Sequence, residues 1–248
     1  MTVKEFHRLF IAVHKCVACD ELLPWQRVEE AFCEKCQHEW NADTLKGCSK
    51  CFLPARECEC MPQSLKKVGA LTNRKLIFYD NSGENQASNG LIYRLKHHYN
   101  TRIARFVARE LIPALRDELE SIGATDGEVI ITHVPRGRKA KMLYGFDQSE
   151  RVCKQMSKLT KIPYVSVFRS AMSSKQQKDL DSKARMIHAN ATIIMRKKIN
   201  VKEKYVVLFD DIVTTGASMS VCTRQLMKKG AKGVLCLCLA SRPKSDRK

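Results

Sequence analysis

Thirteen consecutive residues constrain the architecture of this 248-residue chain more than any other stretch. Val206 to Ser218 reads Val-Val-Leu-Phe-Asp-Asp-Ile-Val-Thr-Thr-Gly-Ala-Ser. Tyr205 to Phe209 is apolar at successive positions, the pattern of a strand buried on both faces of a parallel sheet. Open α/β sheets place their ligands at the carboxyl ends of such strands, which is where Asp210 and Asp211 fall. Paired carboxylates there can accept hydrogen bonds from the vicinal hydroxyls of a sugar. Thr214, Thr215, Gly216, Ala217 and Ser218 lead into a helical pattern from Ser220 to Lys229. Their backbone N–H groups and hydroxyls then form an anion cradle at a helix N-terminus, with Gly216 allowing the backbone close to a phosphate. The run lacks the Gly-Lys-Ser/Thr ending of a Walker loop and the three spaced glycines of a dinucleotide fingerprint. It specifies an α/β fold with a sugar-phosphate site.

The flanking sequence supplies the rest of such a fold. Leu76–Tyr79, Glu128–Val134, Tyr164–Phe168, Thr192–Met195, Tyr205–Phe209 and Gly233–Leu239 read as strands of a mainly parallel sheet with helices on both sides. Helices are expected from near Gly90, over Thr101–Leu119 with a possible kink at Pro113, and over Phe146–Leu159. The second strand ends in Pro135-Arg136-Gly137-Arg138-Lys139, a loop with backbone donors at Arg136 and Gly137 and three cations. Ser170 to Lys183 is polar without an apolar period. It suits a mobile active-site flap carrying Lys175 and Lys178, with Arg185 just beyond; an ordinary solvent loop is the plainer alternative.

Charge divides the chain in two. Residues 1–62 hold eight Lys/Arg against ten Asp/Glu, whereas residues 63–248 hold 36 against 16. The basic surface therefore belongs to the second part and favours polyanionic partners, either nucleic acid or multiply phosphorylated small molecules. No window reaches the apolar length of a membrane span, and residues 1–15 lack a signal-like apolar core, so a cytoplasmic location is expected.

The acidic first part contains eight of the twelve cysteines, as Cys16-x-x-Cys19, Cys33-x-x-Cys36, Cys48-x-x-Cys51 and Cys58-x-Cys60. Two thiolates two residues apart can share one knuckle turn and face one tetrahedral zinc, so two ions are expected. Disulfides are the competing reading, disfavoured in a reducing compartment. Sequential pairing assigns Cys16, Cys19, Cys33 and Cys36 to one ion and Cys48, Cys51, Cys58 and Cys60 to the other; an interleaved cross-brace uses the same eight sulfurs. Residues 1–62 thus read as a metal module and residues 63–248 as the α/β domain. Cys153, Cys222, Cys236 and Cys238 read as small buried hydrophobes.

The Val206–Ser218 run resembles the PRPP-binding signature of type I phosphoribosyltransferases. The order of motifs along the chain resembles the ComF-type proteins: a multi-cysteine beginning, Tyr79-Asp80, Leu91 to Lys96, Val134-Pro135-Arg136, Gly145 to Gln148, Gln177-x-x-Leu180 with Arg185, then the signature. That resemblance implies a cytoplasmic protein of natural transformation that binds single-stranded DNA, with other competence proteins such as a DNA helicase or translocase as partners. The phosphoribosyltransferase resemblance implies PRPP bound with magnesium, Arg136, Gly137 and Arg185 near the pyrophosphate, and Asp210 and Asp211 as catalytic residues if the domain is an active transferase. No base-binding hood is legible. Where the ComF family usually has Arg-Gly-Phe-Asn-Gln, Tyr144 and Asp147 replace the Arg and Asn, an exchange expected to weaken phosphate attraction at that turn.

Overall fold

A computed structural model describes residues 14–27, 30–79, 86–171 and 182–242. Six strands are formed by the described residues: β1 (Thr72–Phe78), β2 (Val129–His133), β3 (Phe168–Ser170), β4 (Ile193–Met195), β5 (Tyr205–Val213) and β6 (Gly233–Ser241). Four of them make a parallel sheet in the order β1-β6-β5-β2. The continuous apolar runs of β5 and β6 are explained by burial on both faces. Val207, Phe209, Leu235 and Leu237 belong to one core, and the alternating Val206, Leu208, Val234, Cys236 and Cys238 to the other. All four cysteines read as hydrophobes are buried.

Eight α-helices are described: α1 (Glu34–Thr44), α2 (Gln63–Lys66), α3 (Gln86–His97), α4 (Thr101–Ser121), α5 (Arg138–Tyr144), α6 (Gln148–Thr160), α7 (Ser182–Thr192) and α8 (Ala217–Lys228). Buried residues of α1, α3, α4 and α6 pack in the first core, together with Cys16, Val17, Phe32 and Trp40 of the N-terminal part. Those of α2, α7 and α8 pack in the second. The chain leaves β2 toward the first layer and β5 toward the second. The crevice between their carboxyl ends is thus a topological switch point, where doubly wound sheets bind ligands. Among the described residues, no helix is long and apolar enough to cross a membrane.

Three expectations change. Tyr164–Phe168 does not extend the main sheet beyond one parallel bridge between Ile131 and Tyr164. The Val167 N–H donates instead to the Thr132 hydroxyl, at 3.3 Å, so the ladder ends there. Phe168–Ser170 then pairs antiparallel with Ile193–Met195 in a separate two-stranded sheet. The helix expected from near Gly90 starts by Gln86, with Gly90 inside it. A Cβ at Gly90 would lie 2.3 Å from the Ala18 carbonyl oxygen, so glycine marks a close crossing rather than a helix start. Finally, α4 runs through Pro113, whose side is exposed. Residues 172–181 of the expected flap, including Lys175 and Lys178, lie outside the described residues.

Candidate functional site

The cleft at the switch point has a volume of about 460 Å³ and is walled by Lys96, Arg136, Gly137, Gln148, Asp210, Asp211, the Thr214–Ser218 turn and Arg242. Asp211 is almost wholly buried. Its Oδ1 accepts the Ile212 N–H at 2.8 Å, while Oδ2 accepts from Gln148 Nε2 at 3.1 Å and lies 3.5 Å from Lys96 Nζ. Asp211 is thus held by side chains from α3 and α6, and Asp210 lines the same cleft beside it. Burial, then the neighbouring Asp211 charge, pushes the Asp210 carboxyl well above its usual range, against a weaker pull from Lys96. A cation or a hydroxyl donor in the cleft would relieve that burden.

Gly216 N-caps α8 in the left-handed region, at φ 71°. A Cβ there would meet Ser64 Oγ at 2.8 Å and Pro62 Cβ at 3.1 Å, while Ser64 Oγ donates to the Thr215 carbonyl at 2.6 Å. The turn is thus braced from behind by the start of α2. Glycine is required there by its own conformation and by that contact, whatever the turn binds.

The basic loop is organised differently from expectation. The Arg136 N–H, read as an anion donor, is committed to Asp147 Oδ2 at 2.7 Å, and the Arg136 guanidinium donates to the Lys96 carbonyl at 2.8 Å. Gly137 lies on the cleft wall as the N-cap of α5. Asp147 does not face the cleft as a repelling anion. It is buried, N-caps α6 by accepting the Ser149 and Glu150 N–H groups, and lies 3.6 Å from His133 Nε2. Burial would raise its carboxyl, but His133 and the backbone donors outweigh this and hold it below the ordinary value. Tyr144, where the family has arginine, sits 4.5 Å from the Arg136 guanidinium as a cation–π partner. Arg185 falls in α7.

Beside the cleft, and sharing Thr214, Thr215 and Arg242 with it, is a cavity of about 570 Å³ lined by Met61, Pro62, Ser64, Phe78 and Met186. Its far wall includes Cys48 and Cys60. The eight cysteines separate into Cys16, Cys19, Cys33, Cys36 and Cys48, Cys51, Cys58, Cys60, with all sulfurs of each set within 4.8 Å of one another. This is the sequential pairing, and both spacings suit four sulfurs about 2.3 Å from a common ion. The residues fit a metal: all eight are free thiols, and the Ala18 and Lys50 N–H groups each approach a cluster sulfur at 3.4 Å.

Sheet order, cleft and acidic pair define a phosphoribosyltransferase-type α/β domain behind two four-cysteine clusters. Residues 149–248 match the family described as phosphoribosyl transferase domain. The chain is 26% identical over 151 residues to DNA utilization protein YhgH of Escherichia coli (strain K12), covering 60% of this chain and 65% of that one. It is 26% identical over 150 residues to the protein of the same name in Salmonella typhimurium. The match thus spans 65% of the length of these curated relatives. Among solved structures, a purine phosphoribosyltransferase from Pyrococcus horikoshii aligns with TM-score 0.34 at 20% identity, over 58% of this chain and 78% of that one. The ComF-type resemblance read from the sequence is borne out by the homologues, the phosphoribosyl transferase domain and the cysteine-rich beginning together.

Lys96 and Gln148 were not assigned a role from sequence, although both lie in stretches that carried the family resemblance. Nothing local marks them as partners of Asp211.

Proposed function

We propose that this protein handles single-stranded DNA in the cytoplasm and binds a PRPP-type ligand, with magnesium, in the cleft of its α/β domain. The single observation carrying the ligand assignment is the convergence of Asp210, Asp211 and the Thr214–Ser218 turn on one cavity at a topological switch point. In this reading the ribose hydroxyls donate to the acidic pair and the 5-phosphate accepts from the N-terminal turn of α8. Lys96 and Gln148 keep Asp211 oriented, and Gly137 faces the diphosphate. Magnesium, when bound with the diphosphate, supplies neutralisation of its charge. Zinc in both cysteine clusters holds the N-terminal part together. The DNA assignment is supported by the basic balance of residues 63–248 and by the name of the relatives. A DNA helicase or translocase is the partner class this role calls for.

An active phosphoribosyltransferase is the second reading, favoured by the apolar 570 Å³ cavity next to Thr214 and Thr215. It has the volume of a small-molecule site and stands where an acceptor base could reach the ribose. In that chemistry the acceptor attacks C1, the diphosphate leaves with the C1–O electron pair, and Asp210 and Asp211 stabilise the positive charge developing on the ribose.

Thermal denaturation with PRPP and magnesium tests the cleft. Wild type should gain stability through ligand linkage, and the Asp210→Asn, Asp211→Asn double variant should lose the gain. Equal shifts in both would move the ligand elsewhere. Pyrophosphate release with a nucleobase or single-stranded DNA as acceptor would favour the second reading.

A further inference from the structure

We propose that aromatic and cationic side chains around the ends of α3, α5 and α6 form a stacking track for single-stranded DNA, running outward from the cleft. This rests on the DNA-handling reading and deepens it by naming the surface.

The track can be followed contact by contact. The Tyr93 ring lies 4.5 Å from His97, and His97 lies 4.6 Å from Tyr144. The Arg136 guanidinium stands 4.5 Å from the Tyr144 ring and 5.6 Å from Phe146. Arg151 stands 5.3 Å from the other side of this series, at Phe146, and 3.9 Å from the Tyr99 ring. Seven side chains thus make one series, in which Arg136 and Arg151 alternate with the rings of Tyr144, Phe146 and Tyr99. Arg136 lines the sugar-phosphate cleft; Arg151 and Tyr99 line a separate cavity of about 400 Å³ with Lys154, Lys158 and Tyr164. The series joins the two.

Its ends are open. Tyr93 is 58% exposed and Tyr99 is 75% exposed, whereas a seam built only for packing would bury its largest rings. The nearby acidic group, Glu150, is paired with Lys154 at 2.8 Å and Lys141 at 3.3 Å, which removes its repulsion toward a phosphate chain. Two exposed rings with cations between them suit single strands, the buried Phe146 fixing the middle of the series: every base offers a π-face, the cations meet the phosphates, and a duplex hides the faces that would stack.

Fluorescence anisotropy of the full chain with a labelled oligothymidine of about 15 nucleotides tests the assignment. The Tyr93→Ala, Tyr99→Ala double variant should bind about 10- to 100-fold more weakly, with an unchanged log–log salt slope because no charge is removed. Its melting temperature should match wild type, and the Tyr93→Phe, Tyr99→Phe variant should bind like wild type. An abasic oligonucleotide of equal length should bind wild type as weakly as the alanine variant does. Oligouridine tested alongside separates the two sources of stackable strand: tighter DNA binding supports the assignment, and tighter RNA binding overturns it. Wild-type binding of oligothymidine that the alanine variant retains overturns the track while leaving the DNA reading intact. Absence of binding by wild type even at low salt removes the DNA reading itself.

Discussion

The two cysteine clusters share one knuckle and differ in what they brace. In each, the residue two after the first cysteine approaches its sulfur, the fifth residue adopts a left-handed backbone (Asp20 at φ 70°, Phe52 at φ 61°), and a short antiparallel bridge closes the turn. The second pair of ligands departs. In the first cluster, Cys33 N-caps the eleven-residue α1 and Cys36 lies in its first turn, so the cluster is continuous with a helix. That helix buries Trp40 against Phe32 and Phe106 of α4, at ring separations of 5.5 and 5.4 Å. In the second, the narrow Cys58-x-Cys60 arm forms no helix and is held by the buried Lys75 of β1. The Lys75 Nζ donates to the carbonyls of Cys58 and Cys60 at 2.7 and 2.9 Å. Four residues beyond Cys60, Ser64 reaches the Thr215 carbonyl. One cluster therefore anchors a hydrophobic core, and the other anchors the back of the cleft. The same thiol chemistry serves stability in one place and positioning in the other, because a helix extends the first and a brace extends the second.

The largest expected effects come from removing one ligand of each. Cys36→Ser and Cys58→Ser should each lower bound metal from two ions to one, measured on purified protein. Cys36→Ser should also abolish the near-ultraviolet signal of Trp40 and cost several kcal/mol, since binding of a structural metal is folding free energy of about 10 kcal/mol or more. Cys58→Ser should keep the Trp40 signal and lose most of the melting shift given by PRPP with magnesium. If both variants lose the Trp40 signal equally, the two clusters have no separate roles.

A smaller effect sharpens the same contrast at the glycine each region presses upon. Gly90 in α3 abuts the Ala18 carbonyl of the first knuckle, and Gly216 abuts Pro62 and Ser64 beyond the second cluster. Helix propensity alone would make Gly90→Ala stabilising by about 1 kcal/mol. The 2.3 Å approach of the new Cβ to a backbone oxygen reverses the sign, and overpacking of this kind costs about 1–3 kcal/mol. Gly216→Ala should cost a comparable amount through its left-handed φ and should also weaken ligand binding, which Gly90→Ala should not. A stabilised Gly90→Ala variant in chemical denaturation would dissolve the proposed contact.

The smallest effect lies in the cleft itself. The raised Asp210 carboxyl means that the native state holds this proton more tightly than the unfolded chain does. Its contribution to stability is full below the ordinary value of about 3.9 and is lost as pH rises through the raised folded value. Asp210→Asn removes that loss, so without ligand the variant should become progressively more stable than wild type from about pH 4 upward. Melting curves across pH check this; a difference that shrinks with rising pH would contradict the assignment. Asp147 has the opposite sign, contributing stability above the ordinary carboxylate value that is lost on acidification.

Much of this was legible in local sequence. The apolar run Tyr205–Phe209, the acidic pair and the hydroxyl-rich turn specify a strand, a site and a helix start within contiguous residues. The Cys-x-x-Cys spacings likewise specify knuckles. Arg136 and Gly137 of the basic loop after β2 line the cleft, but the use of the Arg136 groups was not legible. Arg136 directs its backbone to Asp147, eleven residues on, and its guanidinium to the carbonyl of Lys96, forty residues back. The exchange of family arginine and asparagine for Tyr144 and Asp147 looked like a loss of phosphate attraction. In the fold, one supplies a ring to Arg136 and the other a helix cap.

By itself, the sequence determined the elements whose free energy comes from neighbours along the chain: buried-strand periodicity, the turn preceding α8, and thiolate pairs close enough to share an ion. Tertiary structure alone decided which knuckles share a cluster, that Gln148, 63 residues from Asp211, orients it with Lys96, that Gly90 is a crossing point, and that Arg136 and Arg151 both stand against Phe146. Those outcomes depend on which surfaces are brought within about 4 Å after two hydrophobic cores close, and short-range interactions of that kind leave no signature in spacing along the chain.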